Sequence, residues 1–341
     1  MPIQPTLVEQ LAFRLGIAPV PVLDYLGALG LQAVCMGERL GIFDLLREGP
    51  RAEAAIASDL HLDLHGVVVL LSALEAVGYV KKGDGHYTLS PMASKWMPQF
   101  RSGTRFFQWM AFDGWASIEA TLKGETPPEV RSGPFDGLGE TDRLEGSLSN
   151  SRLSADEIVK RVRLPSTARR LLDIGGGHGL YAAKFCQRHP GLKATVLDRE
   201  PVLVRTRQVL QAERVADRVE CAAGDFWNDD LGKDYDVVLL FNLLNAYPND
   251  HKVQLLRRAA EVISRSGTLV VLDQMRVPTL RGTAKAMVEL TNLRLFDPAQ
   301  GETYLASSLP EWMKSAGLRT QKISTLRAAP WICFAVAAKN A

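Results

Sequence analysis

From residue 166 onward the chain alternates short apolar runs with stretches of helical character, and this rhythm restricts the fold more than any other feature of the sequence. Segments 170–174, 193–197, 219–223, 235–241 and 267–273 read as strands, and segments 180–188, 202–212 and 250–263 read as helices. Such alternation specifies an α/β architecture with a doubly wound, mainly parallel sheet. Segments 320–323 and 331–337 can supply two last strands. Ligands of these sheets bind outside the carboxyl ends of the strands, so the strand ends are where functional residues are expected.

The first strand runs into Asp173-Ile174-Gly175-Gly176-Gly177-His178-Gly179, a turn whose backbone can approach a ligand closely. It departs from the dinucleotide pattern, because Leu180 stands where the third glycine would fall, and an acid, Asp173, precedes it. His178 reads as a backbone-positioning residue rather than a catalytic one. About twenty residues further on, the second strand ends at Asp198, where a carboxylate can accept both ribose hydroxyls of a nucleoside. The third strand leads to Gly224-Asp225-Phe226-Trp227, where an acid can take an exocyclic amine and a ring can stack on a purine. Asp225 can also simply cap the following turn. Three ligand-capable strand ends in succession are more specific than any one of them.

The first hundred residues read as helical. Segment 19–46 is periodic but interrupted by Gly37 and Gly41, so it is either one broken helix or two. A short segment over 52–60, a helix over 63–77 and a hairpin around Gly83-Asp84-Gly85 complete the outline of a winged helix. A helix that reads DNA needs Arg, Lys, Asn or Gln at base edges. Segment 63–77, DLHGVVVLLSALEAV, has none of these and is apolar around most of its circumference, so it is expected to be buried in a packing or dimerisation module. A net charge of +2 likewise gives no chain-wide basic surface for nucleic acid. The four cysteines are far apart and give neither a disulfide framework nor a metal site. The N-terminus lacks the features of a signal peptide, and no apolar run reaches the roughly 20 residues that span a bilayer. A cytoplasmic protein without membrane or nucleic-acid partners is expected.

Between these regions, Phe106 to Trp115 holds five aromatic residues in ten positions, either a core helix or a wall for a flat apolar ligand. The polar, Gly- and Pro-containing stretch 124–146 reads as a loop.

In order along the chain, LLDIGGGHG, VLDRE, GDFW and LVVLDQMRVP resemble the motifs of class I S-adenosylmethionine (SAM) methyltransferases. With the winged helix before them, the chain resembles the small-molecule O-methyltransferases of plants and bacteria. The resemblance implies a Rossmann-like SAM-binding catalytic domain over 151–341. It also implies a winged-helix dimerisation domain over 1–100, an intertwined homodimer, and connecting helices and a loop over 101–150 that contribute to the substrate pocket. It implies that Gly175 and Gly177 pack against the methionine part of SAM, with Asp173 beside them. Asp198 would hold the ribose, and Asp225 and Phe226 the adenine. Phe107, Met110, Trp115, Met287, Asn292, Phe296 and Tyr304 are the expected pocket residues.

The family pattern fails at one position. The turn that usually reads Leu-His-Asp-Trp is here Leu244-Asn245-Ala246-Tyr247. The histidine is the family's general base, and asparagine has no titratable group to replace it. Of the two acids that orient that histidine in the family, one maps onto Asp273 and the other lies near Glu302, where a one-residue offset intervenes. Asn245, Tyr247, Asp273 and Glu302 are therefore the catalytic candidates, with His251 and Tyr304 as further possible bases. A positioned base contributes about 10² to 10⁴ in rate, whereas proximity and orientation can supply about 7–11 kcal/mol. Methyl transfer to a small aromatic or polyketide-like acceptor thus remains feasible if the acceptor is acidic or intrinsically nucleophilic. Oxygen is the family's usual acceptor, and the missing histidine raises carbon or nitrogen. The alternatives are a non-methylating enzyme on the same fold, performing a hydroxylation or rearrangement, and a winged-helix regulator.

Overall fold

The computed structural model describes residues 6–17, 19–113, 115–123, 138–295 and 303–339. The chain divides into two compact units, Met1–Asp113 and Gly114–Ala341. The expected site residues Phe296 and Glu302 lie outside the described residues.

The first unit opens with α1 (Leu7–Arg14), capped reciprocally by Thr6 and Glu9, and α2 (Pro21–Arg39). Gly41, at φ +82°, ends the periodic run and starts α3 (Ile42–Glu48), so segment 19–46 is two helices. Helices α4 (Glu53–Asp59) and α5 (Leu64–Ala76) follow, α5 being capped by Asp63, whose Oδ1 accepts the Gly66 amide at 2.7 Å. Strands β1 (Val80–Gly83) and β2 (His86–Leu89) form the expected hairpin. Its two-residue turn, Asp84-Gly85, has both φ angles positive, the geometry that matches the twist of paired strands. Helices α6 (Pro91–Phe100) and α7 (Thr104–Gln108) and a π-turn over Trp109–Asp113 close the unit. Its core is built on Ile42, Phe43, Ile56, Leu71 and Leu74. Helix α5, expected to be buried in a packing or dimerisation module, is buried on one face in the single chain. Val67, Leu71 and Leu74 face the core, but Leu64 and Val69 are about half exposed in the single chain. One chain offers packing partners to one face of a helix, and α5 carries apolar residues beyond that face.

The second unit begins with α8 (Trp115–Leu122) and α9 (Glu140–Arg161). The expected loop over 124–146 is thus corrected over its last seven positions, which belong to a helix of 22 residues. Glu140 and Asp142 favour its N-terminus and Lys160 and Arg161 its C-terminus, where each charge opposes the helix dipole. Then strands and helices alternate: β3 (Arg170–Ile174), α10 (Leu180–Arg188), β4 (Lys193–Asp198), α11 (Glu200–Ala212), β5 (Val219–Ala223), β6 (Tyr235–Phe241), α12 (Asn249–Val262), β7 (Ile263–Asp273), α13 (Gly282–Leu295), α14 (Leu309–Ser315), β8 (Leu318–Thr325) and β9 (Cys333–Lys339). The sheet order is β5-β4-β3-β6-β7-β9-β8. The pairs from β5 to β7 are parallel, and β9 and β8 close the edge antiparallel. Helices α9, α10 and α11 pack on one face around Leu148, Ile158, Phe185 and Leu203. Helices α12 and α14 pack on the other around Leu255, Leu256, Ala259 and Met313. The strand order reverses between β3 and β6, which places the β3, β4, β6 and β7 ends around one crevice.

Candidate active site

The glycine turn after β3 is held by its neighbours' backbone and by one carboxylate. The amides of Gly175 and Gly176 both donate to the Leu197 carbonyl, at 2.8 and 3.3 Å. Asp198 accepts the Gly177 amide at Oδ2 (2.9 Å) and the Arg199 amide at Oδ1 (2.8 Å). Each oxygen keeps a second lone pair for an incoming hydroxyl. Burial pushes the Asp198 carboxyl up, and the two amides pull it back. Gly175, Gly177 and Gly179 all have positive φ, at 62°, 53° and 72°. At Gly176 the constraint is space, because a Cβ would stand 2.6 Å from the Asp173 carboxyl carbon. On the β6 side, a Cβ at Gly175 would stand 3.1 Å from the Leu243 side chain.

Two buried titratable groups flank this turn. Asp173 is 1% exposed, and neither of its oxygens makes a hydrogen bond among the described residues. Burial, reinforced by the neighbouring Asp198 charge, pushes its carboxyl up to about 8 against the weaker pull of the Ala182 amide. An orphaned buried acid beside a glycine cradle fits a ligand that brings positive charge, as a sulfonium amino acid does. His178 is buried too. Its Nδ1 accepts the Leu180 amide at 3.0 Å, so the neutral ring carries its proton on Nε2 and donates it to Ser151 Oγ at 2.9 Å. Burial, with Arg152 adding to it, lowers its pKa to about 3. The ring therefore caps α10 and stays neutral, as a backbone-positioning residue should.

At the end of β5, the exposed Asp225 caps its own turn. Oδ1 accepts the Trp227 amide at 2.9 Å and Oδ2 accepts Asn228 Nδ2 at 2.7 Å. Phe226 is half-buried, tilted against Trp227 at 5.2 Å and edge-on to Tyr247 at 6.3 Å.

The other half of the crevice is built from β6 and β7. Asn242 leaves β6 at φ 52°, its amide donating to the Leu272 carbonyl at 2.7 Å, and a 3₁₀ turn over Leu244–Ala246 follows. Asn245 sits on this turn, half-buried. Its backbone amide donates to Asp273 Oδ2 at 3.2 Å, and the Tyr304 hydroxyl donates to the same oxygen at 3.2 Å. Asp273 is fully buried. Burial is the main cause that pushes its carboxyl up to about 7, against the pull of Tyr304, the Asn245 and Leu244 amides and Lys252. Tyr304 is itself buried, its ring tilted on Trp312 at 5.2 Å, and burial and Asp273 push its hydroxyl well up. Tyr247 is half-buried and edge-on to Trp227 at 5.1 Å. His251 lies across an open groove of about 490 Å³ lined also by Trp227, Asn228, Ala246, Tyr247 and Pro248. Its side chain is 48% exposed and 3.4 Å from Asp250. Among the described residues no cluster of His, Cys, Asp and Glu could hold a metal ion.

The structure thus brings Asp173, Gly175, Gly177, Asp198, Asp225 and Phe226 to three adjacent strand ends, and Asn245, Tyr247, Asp273 and Tyr304 to the next two. In α13, Met287 is 44% exposed, while Asn292 Oδ1 accepts both the amide (3.0 Å) and the hydroxyl (2.6 Å) of Thr303. Trp115, at the start of α8, is half-buried. Phe107 and Met110 belong to the first unit, where both are half-buried and Phe107 packs on Phe100 at 5.3 Å. Sequence reasoning missed Lys252, which is 1% exposed in α12. Its spacing to Leu255, Leu256 and Ala259 was the available signal, because it puts Lys252 on the buried face.

Comparison with known proteins adds independent findings. The O-methyltransferase domain family matches residues 140–319. A 3-hydroxy-5-methyl-1-naphthoate 3-O-methyltransferase of Streptomyces sahachiroi is 25% identical over 298 residues, covering 84% of this chain and 85% of its own. A mitomycin biosynthesis 6-O-methyltransferase of Streptomyces lavendulae is 27% identical over 322 residues, covering 89% and 90%. Among solved structures, that of the mitomycin 7-O-methyltransferase MmcR superposes with a TM-score of 0.73 at 25% identity, covering 94% of this chain and 97% of that one.

Proposed function

This chain belongs to the O-methyltransferase family and is a SAM-dependent methyltransferase, and from that premise we propose that its acceptor is a small aromatic or polyketide-like secondary metabolite that is already a good nucleophile. SAM, when bound, supplies an electrophilic methyl group on a sulfonium. Gly175 and Gly177 line its methionine part, Asp173 faces its positive charge, Asp198 takes the ribose hydroxyls, and Asp225 and Phe226 hold the adenine. The Asp198 carboxylate bonded to the Gly177 amide carries this reading, because it fixes the cradle and the hydroxyl acceptor as one unit.

On the acceptor side, Asn245 orients the substrate through its amide and takes no proton. Asp273 holds the Asn245 turn from below, and Tyr247 walls it. The protein's contribution is alignment and exclusion of water. An acidic phenol, an enol, an amine or an electron-rich carbon meets the demand this places on the acceptor. Met287, Asn292, Tyr304, Trp115, Phe107 and Met110 are the residues to probe for acceptor contact.

The first unit exposes Leu7, Val8, Leu11 and Leu15 on and just after α1, and Val22, Leu26 and Leu29 on α2, an apolar surface suited to a homodimer. Light scattering of the purified chain checks this, a monomer at micromolar concentration counting against it. Among the described residues no single helix is long and apolar enough to cross a membrane. We place the enzyme in the cytoplasm, without nucleic-acid partners.

The decisive test incubates the protein with methyl-labelled SAM and a panel of hydroxynaphthoates, acidic phenols and aromatic amines, with the label located by mass and NMR. Label on an acceptor heteroatom or ring carbon is expected. SAM that binds in calorimetry but gives label to no member, nor to any component of the producing cell's extract, overturns the reading.

A further inference from the structure

Lysine is almost never fully buried unless something holds its charge. Lys252 is 1% exposed, yet it lies on the face of α12 that packs toward the sheet. Its ammonium stands 5.1 Å from the centroid of the Tyr304 ring and 5.7 Å from that of Trp312, and it donates to Asn249 Oδ1 at 3.1 Å. The Tyr304 hydroxyl in turn donates to Asp273, the acid that accepts the Asn245 amide. A cation over a phenol ring draws density from it and makes the hydroxyl a better donor, and its field favours a nearby carboxylate over the neutral acid. The chain Lys252, Tyr304, Asp273, Asn245 therefore runs from a buried cation to the turn where the family's histidine is missing.

We propose that Lys252 is a positioning residue of this site: seated on the Tyr304 ring, it sets the charge of Asp273 and through that acid the hold on the Asn245 turn. Where an acid of this kind orients a histidine, its charge is answered by a group facing the substrate. Here part of the pull toward the carboxylate comes from inside the protein, from Lys252 on α12, and the turn that would carry the histidine carries an asparagine. This deepens the methyltransfer reading, because a site so arranged binds an acceptor without competing for its proton.

Among the described residues, the groups facing Asp273 are Lys252 from α12, Tyr304 from the segment after α13, Cys333 from β9, and the Leu244 and Asn245 amides. Cys333, pushed up to about 12 by burial, stays a neutral thiol through the working range. Loss of the Lys252 charge removes a pull toward the carboxylate, so the Asp273 midpoint must rise.

Infrared titration of the purified full chain, as a difference against Asp273→Asn, reads the protonation of Asp273 with no substrate present. The wild-type midpoint is expected near 7. Lys252→Met should raise it by at least about one pH unit, a tenfold gain in proton affinity. Amide exchange of Leu244 and Asn245 should quicken in the same variant near neutral pH, because a neutral acid is the weaker acceptor. Tyr304→Phe keeps the ring under the ammonium and removes only the hydroxyl bond. It separates the hydroxyl's share from the cation's, and Lys252→Gln, which loses the charge but keeps a polar tip, serves if Lys252→Met does not fold and should raise the midpoint as well. An unmoved midpoint in the folded variants overturns the proposal. The labelling experiment can fail independently, since these readouts need neither SAM nor acceptor.

Discussion

Asp173 and Asp273 stand at matching places, each the aspartate near the carboxyl end of a buried parallel strand, and each is pushed into the neutral range by burial. Their surroundings differ. Asp173 faces a second acid, Asp198, and the Ala182 amide pulls against them without forming a well-aligned hydrogen bond to either oxygen. Asp273 is met by a phenol, two backbone amides and a lysine. The first environment is incomplete until a cation arrives. The second already has two donors on its Oδ2, with Oδ1 left without a hydrogen bond among the described residues. The donor half of the crevice is thus built to receive charge, and the acceptor half to present none.

The largest effect should come from the donor half. Asp198→Ala removes both the proposed ribose acceptor and the brace on Gly177, and should weaken SAM binding by about 2–3 kcal/mol, on the order of a hundredfold, in calorimetry. An unchanged affinity breaks the donor side of the comparison. Next, Gly176→Ala drives a Cβ against the buried Asp173 carboxyl and should cost about 1–3 kcal/mol of stability, read by denaturant unfolding.

A pH series isolates Asp173. Its folded pKa lies above the unfolded value, so its contribution to stability is full below about pH 4 and is lost as pH rises through about 8. Asp173→Asn, which cannot ionise, should therefore gain melting temperature relative to wild type between pH 5 and 8. SAM affinity should run the opposite way, rising with pH in wild type as the carboxylate forms and staying flat in the variant, at about 1.4 kcal/mol per pH unit where the acid is largely neutral. A parallel pH slope in both proteins would remove Asp173 from the donor site. The smallest effect is expected at the acceptor half. Asn245→Ala should leave turnover within about tenfold of wild type, since no proton transfer is lost. A collapse of activity would mean the amide does more than orient.

Much of the donor half is legible in the sequence because it rests on local rules. A glycine turn follows a strand, an acid ends the next strand, and an acid with an aromatic neighbour ends the third, each within a few residues of the element that places it. The acceptor half is legible only as a departure at Asn245. What replaces the lost pairing comes from residues 252, 273 and 304, which meet through tertiary packing. A buried lysine in a helix that otherwise alternates normally leaves only the spacing clue at Leu255, Leu256 and Ala259. Helix α9 was obscured for a different reason. Its first turn is polar and charged, so composition suggested loop where the dipole favours helix. In α5 the apolar pattern is plain in the sequence, but a single chain covers only one of its faces.

The bare backbone of Gly175 has a mechanical meaning beyond its dihedral angle. A Cβ placed there would press on Leu243, the residue that leads into the Asn245 turn. The two halves of the crevice share a wall that a methyl group enters only if Leu243 gives way. A side chain at residue 175 requires Leu243 to give way by a few tenths of an ångström, so a change on one side of the crevice is felt at the start of the turn on the other.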